Sequence, residues 1–96
     1  MIVWRFRPRA SREADFERVY GPQGAWAKLF AHAPGYLSTE LLCSEDGDYL
    51  AIDRWESSAA FEAFMAQSGA DYAALDRDCA SLTAEEIPLG SFVSLG

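Results

Sequence analysis

Hydrophobic positions alternate with polar ones at the start of the chain: Ile2, Trp4 and Phe6 against Val3, Arg5 and Arg7. A period of two predicts a strand over residues 1–7 with one apolar face. Pro8 fits the end or edge of such a strand, but not the middle of a ladder. The period then changes. Phe16, Val19 and Tyr20 recur at i, i+3 and i+4, which predicts a helix over 12–20 with Ser11 as its N-cap. Gly21-Pro22 ends it. Trp26, Leu29 and Phe30 repeat the spacing in a shorter helix over 25–31, closed by Pro34-Gly35.

Period two returns over 36–44, with Leu37, Thr39, Leu41 and Cys43 on one face and Tyr36, Ser38, Glu40 and Leu42 on the other. Glu45-Asp46-Gly47-Asp48 is a hairpin turn. A third strand over 49–56 ends at Trp55. Ser57 or Ser58 caps a helix that presents Phe61, Phe64 and Met65. Ser68-Gly69 interrupts it, and helix resumes over 70–80 with Tyr72, Leu75 and Cys79 inward, and Leu82 just beyond. Residues 83–86 are expected to be a polar connection. Residues 87–95 form a last strand, at an edge or bulged because of Pro88 and Gly90.

The order β-α-β-β-α-β, in two βαβ halves, predicts an α+β ferredoxin-like fold: a four-stranded antiparallel sheet with the helices on one face. The 96 residues make one domain. The other sheet face must carry either the Ile2/Trp4/Phe6 set or the Leu37/Leu41 and Leu50/Ile52 sets. Either is too apolar to face water, so two sheets are expected to pack face to face in a two-fold homodimer. Composition agrees. Half of the residues are hydrophobic and 14% aromatic, including three Trp, four Tyr and six Phe. So large an apolar load in a short chain implies an aromatic-dense core, or apolar surface covered by a partner or ligand.

Charge removes whole classes of function. Fifteen acidic against eight basic residues give a net charge of -7. A nucleic-acid binder needs a basic footprint, and an anionic membrane attracts cations. No apolar run approaches the ~20 residues of a membrane span. Arginines 5, 7 and 9 interrupt the apolar start, unlike a signal peptide. Cys43 and Cys79 make no disulfide framework, and reduced thiols in the cytoplasm are expected. With one histidine and no CxxC or HxxxH spacing, no metal or other cofactor is expected.

The runs Pro34-Gly35-Tyr36-Leu37, Glu40-Leu41-Leu42, and Asp53-Arg54-Trp55-Glu56-Ser57 with Phe61 and Phe64 resemble the antibiotic biosynthesis monooxygenase family of the dimeric α+β barrel superfamily. The resemblance implies a pocket between sheet and helices. It also implies cofactor-free oxygenation of a flat phenolic small molecule that itself supplies the electrons to dioxygen. In the quinone-forming members, the resemblance implies a Trp at Trp55, an Asn at Ala51, a Tyr at Phe61 and a helical Arg for which Arg77 is the loose match. The Asn and the Tyr are absent here. The haem-degrading members carry a histidine ligand in the segment that here reads Tyr72-Ala73-Ala74-Leu75-Asp76, so haem is not expected.

Asp53 lies two residues before Trp55 and so shares its face. If Trp55 is buried, the carboxylate needs a partner or becomes protonated. Arg5 or Arg7 is the candidate ion-pair partner, and a general base the functional alternative. His32 is the one group with an ordinary pKa near neutrality, before a helix-ending proline. Catalytic candidates are therefore Asp53, His32 and Trp55. Binding candidates are Trp26, Phe30, Trp55, Phe61, Phe64, Tyr72 and Arg77. Aromatic stripes at helical spacing equally suit a plain core, which keeps open a dimeric, non-catalytic small-molecule-binding or stress-response module. An isomerase or lyase of a small lactone or dienone needs only one acid-base group and forms a third class.

Overall fold

A computed structural model describes residues 1–96. The elements are β1 (Ile2–Pro8), α1 (Glu13–Tyr20), α2 (Ala25–Phe30), β2 (Tyr36–Cys43), β3 (Tyr49–Trp55), α3 (Ser58–Cys79), a single 3-10 turn (Ala80–Leu82) and β4 (Thr83–Ser91). The strands form one antiparallel sheet in the order β2-β3-β1-β4. This is the ferredoxin-like arrangement expected from the element order, with the helices on one face.

The pleat sorts side chains by face. Trp4 and Phe6 of β1 share the helix-covered face with Tyr49, Ala51, Asp53 and Trp55 of β3, by the pairs Trp4↔Ala51 and Phe6↔Tyr49. The other face carries Val3 and Arg5, opposite Ile52 and Leu50, and then Leu42 opposite Leu50 and Ile87 opposite Arg5. The apolar set on the bare face is thus the Leu50/Ile52 one. Leu41 does not join it: Leu41 pairs with Ala51 and packs against the core, and Leu42 takes its place.

A register shift between Tyr36 and Ser38 explains a second departure from simple alternation. The bulge turns Tyr36 to the helix side, where its ring meets Phe30 and Trp55. Leu37 is left 58% exposed. The chain reaches this bulge through Gly35, at φ +89°. A Cβ there would lie 2.5 Å from that of Ala60, so α3 packs against bare backbone.

Two other expectations are corrected. Ser11 is not a helix cap. It sits at φ +68° with its N–H reaching the Glu13 carboxylate, and α1 begins with no side-chain cap at all. Residues 83–86 are strand, not connection, because the 3-10 turn consumes the slack after α3 and lets Thr83 pair with Pro8. Other boundaries follow the sequence signals. Gly47, at φ +86°, turns the hairpin. The Ser57 hydroxyl accepts from the Ala60 N–H at 3.1 Å and caps α3. The α3 helix breaks at Ser68 (φ -123°, ψ 17°), beside Gly69.

The core is a continuous aromatic cluster. Phe16, fully buried, stacks on Tyr20 at 4.4 Å between centroids, and Phe6 closes on both. Trp26 meets Tyr72 edge-on at 4.8 Å, and Phe30 meets Phe64 at 5.2 Å. Such tilted and edge-to-face pairs contribute ~1 kcal/mol each beyond area burial.

Candidate active site

The hairpin register places Thr39 of β2 directly opposite Asp53 of β3, both facing the helices. The Thr39 hydroxyl donates to Asp53 Oδ1 at 2.7 Å, and the Tyr36 hydroxyl lies 2.6 Å from Thr39 Oγ1. Because the Thr39 hydrogen is committed to the carboxylate, Tyr36 donates to Thr39. The three side chains form one row that runs from the edge strand β2 inward to β3. Arg5 and Arg7 take no part, contrary to the ion pair expected for Asp53. They point to the other face and both bind Asp48.

Without a cation, burial governs Asp53. Desolvation pushes its carboxyl from 3.8 up to about 6, against the opposing pull of the Thr39 hydrogen bond. This is the range in which a carboxylate is a useful base at neutral pH.

Asp53 lines a cavity of about 50 Å³ between sheet and helices, room for a few water molecules. Its wall is aromatic: Trp4 and Phe6 from β1, Tyr20 from α1, Trp26 and Phe30 from α2, and Tyr72 from α3. Ala51 completes the floor, and Asp76 and Glu86 stand with Asp53 as its charged groups. No basic residue is in the wall. Burial raises the Tyr72 hydroxyl pKa, and the carboxylates of Asp76, Asp53 and Glu86 raise it further. The Tyr20 hydroxyl and the Trp26 indole N–H are buried without a hydrogen-bond partner. No cluster of three or more His, Cys, Asp or Glu side chains is arranged to hold a metal.

The structure therefore brings together Asp53, Trp26, Phe30 and Tyr72 of the candidates from sequence. The others lie elsewhere. Trp55 is buried outside the cavity, ringed by Phe30, Tyr36, Phe61 and Phe64. Phe64 packs in the core, and Phe61 faces a separate groove beside Trp55 and the C-terminal residues. His32 is exposed in a separate groove between α2 and α3, with Gly35 and Gln67. Arg77 is exposed and absent from the cavity wall. Sequence reasoning missed Thr39 and Tyr36 of the row, and Trp4, Phe6, Tyr20, Asp76 and Glu86 of the wall, as site residues. Trp4 and Phe6 were visible only as an apolar strand face.

Residues 1–71 match the sequence profile of the family described as antibiotic biosynthesis monooxygenase. The chain belongs to that family. No curated protein matches it. Among solved structures it is similar to SnoaB, a cofactor-independent oxygenase from Streptomyces nogalater, at 29% identity and a TM-score of 0.64, over 98% of this chain and 93% of that one. A mutant form of SnoaB gives 30% identity and a TM-score of 0.66 over the same shares. A protein from Deinococcus radiodurans, described as a putative antibiotic biosynthesis monooxygenase, has the same fold at 14% identity, a TM-score of 0.61 and coverage of 100% and 97%. Membership and the oxygenase relative together support a monooxygenase of this fold.

Proposed function

We propose that this protein is a cofactor-independent monooxygenase of a flat aromatic, phenolic small molecule, bound between the sheet and the helices. The observation that carries the reading is Asp53: a carboxyl with no cationic partner, titrating near 6, in the wall of an aromatic cavity. A phenolic ring stacked among Trp4, Trp26 and Phe30 brings its hydroxyl to Asp53, which takes the proton. The ring, now electron-rich, reduces dioxygen itself. For an anthrone-like substrate the methylene carbon forms a bond to oxygen, and the O–O bond then breaks. One oxygen atom stays as the carbonyl of the quinone. The other leaves as water with both methylene hydrogens, one of which passes through the enol hydroxyl to Asp53 and back to the leaving oxygen, so the base is regenerated, the substrate supplies every electron and no further reductant is needed. Ala51, where the resemblance puts an amide, gives the floor no polar group, so Asp53 is the one base at that depth.

The cavity is narrow, and the kink of α3 at Ser68, one turn before Tyr72, is where its wall would widen for a larger ring. The bare sheet face, with Leu42, Leu50, Ile52 and Ile87, supports a homodimer packed sheet to sheet. No helix is long and apolar enough to cross a membrane, and we place the activity in the cytoplasm.

Oxygen uptake with a panel of naphthols and anthrones in air tests the proposal. Uptake is expected with at least one of them, and Asp53→Asn is expected to abolish it. The small cavity favours one competing reading, a non-catalytic binding module. Quenching of tryptophan fluorescence by the same compounds, with no oxygen uptake, decides for that module.

A further inference from the structure

The Pro34-Gly35-Tyr36 run carries part of the family resemblance, yet nothing in the proposed chemistry uses it. Its geometry gives it a role. Gly35 leaves the left-handed region straight into the bulge between Tyr36 and Ser38. The Gly35 carbonyl accepts from the Glu56 N–H at 2.7 Å, which ties the bulge to the end of β3. Bulges beside functional sites commonly re-aim a side chain. Here the side chain is Tyr36, turned inward so that its hydroxyl meets Thr39 Oγ1 at 2.6 Å. Thr39, 7% exposed, has one hydroxyl hydrogen and spends it on Asp53 Oδ1.

We propose that Thr39 is the positioning residue of the base, with Tyr36 as its support: the row Tyr36–Thr39–Asp53 holds one carboxylate oxygen and leaves the other to the substrate. This rests on Asp53 being the base. Three physical consequences follow from the row. Oδ1 is occupied by a donor, so the carboxyl plane is fixed and Oδ2 is left to take the proton. Tyr36 donates to Thr39 and so polarises the Thr39 O–H towards the carboxylate. The donated hydrogen bond favours the charged form of Asp53, so without it burial alone would hold the carboxyl protonated at higher pH.

No other group supplies this pull. The groups facing Asp53 are Tyr20 from α1, Tyr72 and Asp76 from α3, and Glu86 from β4. The first two are neutral at ordinary pH, with hydroxyls raised by burial, and the last two are acids. β1 and α2 contribute the uncharged rings of Trp4, Phe6, Trp26 and Phe30, and the unpartnered Trp26 indole N–H does not bond the carboxylate. Thr39 is the one donor within hydrogen-bond reach of the carboxylate.

The test is a carboxyl-carbon NMR titration of Asp53 in the full chain, which needs no substrate and reads the row whether or not the protein is an oxygenase. Thr39→Val keeps the shape and removes the hydroxyl. It is expected to raise the Asp53 pKa by about one unit or more, the size of a hydrogen bond to a charged group. Thr39→Ser is expected to restore the wild-type midpoint to within a few tenths, and Tyr36→Phe to shift it upward by less than Thr39→Val. If oxygen uptake is found, Thr39→Val moves the acid limb of its pH profile by the same amount and lowers kcat more than it raises KM. A midpoint unchanged in Thr39→Val, or a Thr39→Ser protein that behaves like Thr39→Val, overturns the proposal. If Thr39→Val does not fold, the Tyr36→Phe and Thr39→Ser midpoints decide alone: no upward shift in Tyr36→Phe overturns it. A titration as expected, in a protein that consumes no oxygen, sinks the oxygenase reading and leaves the row standing.

Discussion

Asp53 stands in tension with the fold that holds it. Its carboxyl titrates from 3.8 in ordinary surroundings and from about 6 in place, so between those values the folded state binds the extra proton. Wild-type stability therefore falls as pH rises through that window, and above it the charged carboxyl costs a constant amount. Asp53→Asn removes the charge and keeps an oxygen for Thr39. It is expected to stabilise the protein by about 2–3 kcal/mol at pH 7, with the gain gone at pH 3.5. Urea unfolding at the two pH values measures this, and an equal effect at both would mean that burial does not set the Asp53 pKa. The sequence shows Asp53 as a buried acid through its spacing from Trp55, but assigns it the wrong partner. Counting outward from the turn would have found the right one: Cys43 and Tyr49, Leu41 and Ala51, and Thr39 and Asp53 lie at equal distances from Asp46. Arg5 is also on a neighbouring strand, but the pleat sends it to the opposite face, opposite Leu50.

Among the elements, the segment from Gly35 to Thr39 shows most clearly where periodicity stops being informative. A bulge adds one residue and inverts the faces before it, so Tyr36 and Leu37 exchange places relative to strict alternation. No hydrophobicity pattern marks that, since both residues are large and apolar. The backbone signal was Pro-Gly itself. Gly35→Ala would set a Cβ 2.5 Å from that of Ala60 at a φ of +89°. The expected loss is about 2 kcal/mol or more. Pairing it with Ala60→Gly should recover the steric part and leave the conformational part, as two thermal melts would show. The breaks and caps of α3 were legible because Ser57 and Ser68-Gly69 act locally. The start of β4 was not, because residues 83–86 are polar and become strand only by pairing with β1.

At the scale of the molecule, the fold was readable because element order and period leave few topologies to choose from. The cavity was not. Its wall draws one or two residues from each of several elements, and the same stripes also serve a closed core. Thus Phe61 and Phe64 look like Trp26 and Phe30 in sequence, yet only the α2 pair lines the cavity with Asp53. The sheet's bare face makes the remaining prediction. Leu42 is 43% exposed and Ile87 39%, flanking Leu50 and Ile52 on one surface. Ile52→Glu, near the centre of that face, is expected to convert a dimer to a monomer in light scattering. A wild-type protein that is already monomeric at the same concentration would refute the sheet-to-sheet pairing.

The break at Ser68 divides α3 into two pieces with different loyalties. The first, with Phe61 and Phe64, is fastened to Trp55; the second, with Tyr72 and Asp76, closes the cavity. The backbone leaves helical φ/ψ at Ser68 alone, so the two pieces meet the sheet at separately set angles. Apolar walls discriminate weakly between related rings even when rigid, whereas a buried polar group left unmatched is costly. For the phenolic ring proposed as substrate, selectivity is expected to be shallow for ring size and steep for the placement of a single hydroxyl.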